Sequence, residues 1–176
     1  MKETKSIEYL YEVETLKSQI ELKNVAVVLK RGRNAIIKQS KSGRGVMLYG
    51  CAAKLEEGKR YDLLVEAIKT YHGLKEVTHA YVVKKRGRFD TENFYKYTKD
   101  LLAKHVQQNE VIRGVEGVYK NRYLYVEGHK IPIYFKKKKL TPKNGTKLKI
   151  DYAQLGYYKK LQLVIYSKKD FTILEN

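Results

Sequence analysis

At 176 residues, with 43% apolar side chains and a formal charge of +18, the chain is long enough for one or two small domains and too apolar for a disordered basic tail. Its single cysteine, Cys51, excludes an internal disulfide and any zinc site built from several thiolates, and suits a packed core position. No apolar run of about 20 residues is present, and Met1-Lys2-Glu3-Thr4-Lys5 leads into no signal-peptide core, so a cytoplasmic protein is expected.

In chain order, Ser6 to Lys17 reads as a helix, with Ser6 as N-cap, acids in its first turns, and Ile7, Leu10, Tyr11 and Glu14 on one stripe. From Asn24 the pattern changes to β-branched and alternating residues. Val25 to Lys30 and Asn34 to Lys38 form a hairpin through Arg31-Gly32-Arg33. A polar loop, Ser40-Lys41-Ser42-Gly43-Arg44, precedes a third strand, Gly45 to Gly50, and Ala52 to Gly58 makes a short connector. Arg60 to Tyr71 and Leu74 to Lys85 then pair about His72-Gly73. Arg86-Gly87-Arg88 marks a boundary, dividing the chain into 1–87 and 88–176. Asp90 caps a second helix carrying Phe94, Tyr97, Leu101 and His105, and strands follow at Val111 to Lys120, Tyr123 to Glu127, Ile131 to Lys136, Thr146 to Tyr157 and Leu161 to Ile173.

The two halves repeat one another. Gly45-Val46-Met47-Leu48-Tyr49 finds a counterpart in Lys130-Ile131-Pro132-Ile133-Tyr134, and Tyr71-His72-Gly73-Leu74-Lys75-Glu76-Val77 in Tyr158-Lys159-Lys160-Leu161-Gln162-Leu163-Val164. The offset grows from 85 residues at Tyr49 and Tyr134 to 87 at Tyr71 and Tyr158, which places two extra residues near Thr141 to Gly145. Charge is shared equally: residues 1 to 89 hold 19 basic and 10 acidic side chains, and residues 90 to 176 hold 18 and 9.

Five strands with a connector after the third, together with Gly45-Val46-Met47-Leu48-Tyr49-Gly50, Leu55-Glu56-Glu57-Gly58 and Tyr71-His72-Gly73-Leu74, resemble the OB-fold nucleic-acid-binding family, twice over. The second copy keeps a glycine before its fourth strand, Gly145, and departs at the hairpin, where Lys160 stands in place of Gly73. The resemblance implies a mainly β chain of two tandem five-stranded barrels, each preceded by an α-helix. It also implies a ligand groove on strands two and three, flanked by the loops after strands one and four. In the first copy that groove would take Arg31, Arg33, Lys38, Lys41, Arg44, Tyr49, His72 and Lys75. In the second it would take Lys120, Arg122, Tyr123, Tyr125, Tyr134, Lys136, Tyr157, Tyr158, Lys159 and Lys160.

The expected partner is a polyanion. Lysine outnumbers arginine 29 to eight, which favours phosphate attraction over the bidentate reading of base edges. Between Lys130 and Lys160 there are ten lysines and a single acid, Asp151, and 16 tyrosines supply ring faces for unpaired bases. Single-stranded DNA or RNA, bound with weak sequence preference, is therefore expected. The alternative is a structural or adaptor protein of a viral or nucleoprotein assembly, whose barrels dock other proteins or self-associate. His72, His79, His105 and His129 fall in different elements, paired acids are sparse in the groove, and no glycine-rich loop ends in Gly-Lys-Ser or Gly-Lys-Thr. Neither an enzyme nor a cofactor or metal is expected.

Overall fold

A computed structural model describes residues 2–174, and the chain falls into two compact units, Met1–Phe94 and Tyr95–Asn176. In the first unit β1 (Glu3–Lys5) lies parallel to β2 (Ile20–Arg31), with the single-turn helix α1 (Ile7–Leu10) between them. Then come β3 (Asn34–Lys38), β4 (Gly45–Leu48), β5 (Lys59–Tyr71) and β6 (Leu74–Arg88). Strand β2 pairs with β3 and β5, β3 with β4, β4 runs parallel to β6, and β6 returns to β5. That circuit closes a five-stranded barrel, which removes the open edges that a flat sheet of this size would expose.

Alternation places Leu22, Val25, Val27, Ile37, Val46, Leu48, Leu63, Val65 and Val77 inside, with Ile7 and Leu10 packed on the same core. Each such side chain contributes roughly 1.5–3 kcal/mol by leaving water. Cys51 packs half-buried against this cluster and gives its thiol proton to the Val77 carbonyl at 3.4 Å, and burial pushes that thiol's pKa up. Asn24, with φ of 54°, bulges β2 against β5. The bulge is pinned by Asp62, which accepts the Asn24 amide at 2.8 Å and two bonds from Arg86 at 2.7 and 2.9 Å.

The second unit opens with α2 (Thr98–Leu101) and then runs β7 (Val111–Ile112), β8 (Val115–Lys120), β9 (Tyr123–Val126), β10 (His129–Phe135), β11 (Lys147–Ile150), β12 (Ala153–Tyr157), β13 (Leu161–Ile165) and β14 (Phe171–Ile173). Strand β8 pairs with β9, β9 with β10, β10 runs parallel to β13, and β13 pairs with β12. Pairings of β12 with β7 and of β11 with β8 complete the circuit. The first and fourth strands of this barrel are thus each broken in two, at Arg113-Gly114 and at Asp151-Tyr152. Gly114, at φ of +75°, permits the first break. The second core holds Val115, Tyr119, Leu124, Val126, Ile133, Phe135, Leu148, Leu155 and Leu163.

Three expectations from the sequence need correction. The helix expected over Ser6 to Lys17 is one turn that ends at Tyr11, which packs on the same core as Ile7 and Leu10, donates its hydroxyl to the Gly45 carbonyl at 2.5 Å and sets its ring 3.5 Å from the Arg44 guanidinium. Helices this short hold only by such tertiary contacts. The second expected helix is two separate pieces, a 3₁₀ turn at Thr91–Phe94 and α2, because Lys96 between them bridges Ile112 in strand fashion. Phe94 packs with Phe89 in the first unit while Leu101 enters the second core, so their spacing was not one helical stripe. Finally, Arg86-Gly87-Arg88 lies inside β6, and the division between compact units falls after Phe94.

Candidate nucleic-acid interface

The outer side of β8, β9 and β10 follows directly from alternation in the second barrel. Tyr119, Leu124, Val126, Ile133 and Phe135 point into the core, so Val118, Lys120, Tyr123, Tyr125, Lys130, Pro132 and Tyr134 face outward. Register then sets neighbours: Val118 opposes Tyr125, which opposes Lys130, and Lys120 opposes Tyr123, which opposes Pro132. Two-residue turns with positive φ join these strands, at Asn121-Arg122 (49° and 74°) and Glu127-Gly128 (46° and 79°), and hold the register. Gly117 lets β8 approach β9 closely, since a Cβ there would sit 2.6 Å from the Tyr125 carbonyl oxygen.

Tyr123 is the centre of this face. The Lys130 Nζ lies 4.1 Å from its ring centroid, while the Lys160 Nζ lies 5.1 Å from the centroid and donates to the phenol oxygen at 3.2 Å. The hydrogen bond from Lys160 and the charges of Lys160 and Lys130 hold the Tyr123 hydroxyl below the usual phenol range. Lys160 reaches there from the β12–β13 turn, which brings a loop after the fourth strand onto the strand-two face. Tyr125 and Tyr134 are 41% and 49% exposed, and among the described residues no cation lies over either ring. The acids nearest along these strands, Glu116 and Glu127, belong by register to the end away from Lys120 and Tyr123.

Of the residues expected in the second groove, the structure brings Lys120, Arg122, Tyr123, Tyr125, Tyr134 and Lys160 onto this face or its rim. Tyr158 and Lys159 are exposed in the same turn as Lys160, and Tyr157 is half-buried at its start. Lys136 lies just past the end of β10, with its ammonium 5.6 Å from the Tyr166 ring. Lys130 and Pro132 belong to the face and were not anticipated. Alternation across the β9–β10 hairpin would have found Lys130, since Tyr125 stands directly opposite it.

The first barrel differs. On β3 and β4 the residues that alternate outward, Ile36, Lys38 and Met47, are buried, so this strand pair presents no open row of cations and rings. Lys38 is fully buried and gives its ammonium protons to the Lys41 carbonyl at 2.9 Å; Lys75 is buried likewise and donates to the Val13 carbonyl at 2.9 Å. Both were expected to meet ligand, and both are instead structural cations, because an ammonium withdrawn from water must satisfy its protons internally. Arg31 is tied to Glu57 at 3.6 Å, and Arg44 is stacked on Tyr11 with its amide on Glu8. Arg33, Lys41, Tyr49 and His72 remain exposed, with His72 packed edge-on against Tyr71 at 4.4 Å.

No protein-family model matches the chain, and no curated protein does. Among solved structures, a murine DNA-binding protein bound with double-stranded DNA is 10% identical, at a TM-score of 0.45 over 91% of this chain and 97% of that one. The tetrameric p202 HIN2 is 10% identical at 0.43, over 92% and 94%. The Ifi202 HINa domain in complex with 20-bp double-stranded DNA is 13% identical at 0.39, over 91% and 97%. At such scores the likeness carries no argument for this chain, whose function is read from its own residues.

Proposed function

We propose that the protein binds single-stranded DNA or RNA, with weak sequence preference, on the outer face of β8, β9 and β10. The observation that supports this reading is the interleaving of open tyrosine rings, Tyr125 and Tyr134, with Lys120, Lys130 and Lys160 on one sheet surface. Unpaired bases offer faces for stacking beside phosphates for the ammonium groups, whereas a duplex hides those faces. Base stacking on each ring is worth about 1–3 kcal/mol and tolerates any base, which accounts for the weak preference.

Among the described residues no three or more His, Cys, Asp or Glu side chains gather where a metal could be held. Fluorescence anisotropy with oligo-dT, oligo-U and a duplex of equal length, titrated with salt, tests the reading. Lys120, Arg122, Lys136 and Lys159 neutralising one phosphate each, with one or two more at Lys130 and Lys160, give a slope of log K against log salt of about −3.5 to −4. Stronger binding to the duplex, or stable self-assembly with no oligonucleotide bound near 0.1 M salt, refutes it; the latter favours a structural or adaptor role.

A further inference from the structure

Resting on the reading above, we infer that Lys130, Tyr123 and Lys160 form a phosphate clamp, a subsite for one backbone phosphodiester, separate in role from the stacking rings Tyr125 and Tyr134. Three observations carry it. The Lys130 ammonium, 4.1 Å from the Tyr123 centroid, occupies the ring face that a base would need. Tyr123 therefore serves as a post for cations and not as a stacking platform. Lys160 is drawn to the same post by its bond to the phenol oxygen at 3.2 Å, so two ammonium groups, one from β10 and one from the β12–β13 turn, converge on one ring.

Among the described residues neither ammonium is ion-paired with a carboxylate, and the strand neighbours Lys120 and Pro132 bring no acid. Two like charges gathered at one ring, 4.1 and 5.1 Å from its centroid, repel one another, and an anion bound beside them relieves that repulsion. A monoanionic phosphodiester supplies that anion, accepting from both ammonium groups and from the phenol O–H. Cation–π attraction holds Lys130 in place before the ligand arrives. The rings of Tyr125, directly opposite Lys130, and of Tyr134 on the same strand are then left for the bases on either side.

The test compares oligo-dT with an abasic oligonucleotide of equal length, which keeps the phosphates and lacks the bases. Since both lysines serve one phosphate, the double variant Lys130→Gln/Lys160→Gln is expected to flatten the salt slope by about 0.7, not by the 1.4 of two separate phosphates. That difference corresponds to about 5-fold weaker binding near 0.1 M salt relative to a 1 M reference. The double variant loses affinity for both probes. Tyr125→Ala loses affinity for oligo-dT alone. Tyr123→Phe, which keeps the ring and removes the tether of Lys160, weakens both probes and leaves the slope nearly unchanged. An unchanged slope in the double variant, with wild-type protein still binding oligo-dT, overturns the clamp and leaves the single-strand reading standing. A slope lowered by 1.4 also overturns it, in favour of two independent contacts. Wild-type protein that binds neither probe overturns both proposals together.

Discussion

Replacing Tyr125 or Tyr134 with alanine separates stacking from packing on the exposed face. Both rings stand outward, 41% and 49% exposed, on strands whose alternate residues fill the core. Removing either ring costs the fold only its cross-strand contacts, about 0.2–1 kcal/mol. If each ring stacks one base, the lost binding energy is about 1–3 kcal/mol, which is roughly a 5- to 150-fold rise in Kd for oligo-dT. Because the rings carry no charge, the salt slope is unchanged while the affinity falls at every salt concentration. Anisotropy titrations at several ionic strengths read both quantities, and a thermal melt of each variant checks the fold. Tyr119→Ala is the contrast: that ring is 6% exposed and packs edge-on against Phe135 at 5.7 Å, so its loss is expected to cost about 3–5 kcal/mol of stability. Affinities within twofold of wild type for both Tyr125→Ala and Tyr134→Ala refute the stacking argument.

The Arg86 hydrogen bonds hold the Asp62 carboxyl below the usual carboxylate range against its own burial, with the Asn24 amide adding to the effect. The stability this contributes is complete above the unfolded pKa near 3.9 and is lost as pH falls through the lowered folded value; Asp62→Asn is therefore expected to lose about 1–3 kcal/mol at neutral pH and to flatten the acid limb of a melting-temperature profile. Lys38→Met and Lys75→Met change the melting temperature and leave oligonucleotide affinity within twofold, since both ammonium groups end on backbone carbonyls inside the first unit. Gly117→Ala forces β8 from β9 at the Tyr125 carbonyl, costing about 1–3 kcal/mol by denaturant unfolding and weakening oligo-dT binding through displacement of Tyr125.

Strands and hairpins were legible in the sequence because period-two alternation reports which side of a strand meets the core. Asn34–Lys38, Gly45–Leu48 and Tyr123–Val126 stand where that pattern put them, to within a residue or two at the ends. The helices were not legible. Ile7, Leu10 and Tyr11 carry helical spacing, yet only one turn forms, and Phe94 and Leu101 share a periodicity while serving different units. Spacing records that a residue is apolar and cannot say which core it enters.

By itself the amino-acid order determined a mainly β chain, the barrel-like succession of strands in each half, the large positive charge and the wealth of tyrosine, all local or additive properties. Only the tertiary structure decided which cations are available. Lys38 and Lys130 look alike in the chain, each near a third strand in a basic stretch. One is sealed inside with its protons on a carbonyl, and the other lies over an exposed phenol ring. Both alternate outward from their barrels, so the difference lies in what the folded chain lays over each: the segment after β3 turns its Lys41 carbonyl onto the Lys38 ammonium and seals it from water, a placement that strand alternation does not encode.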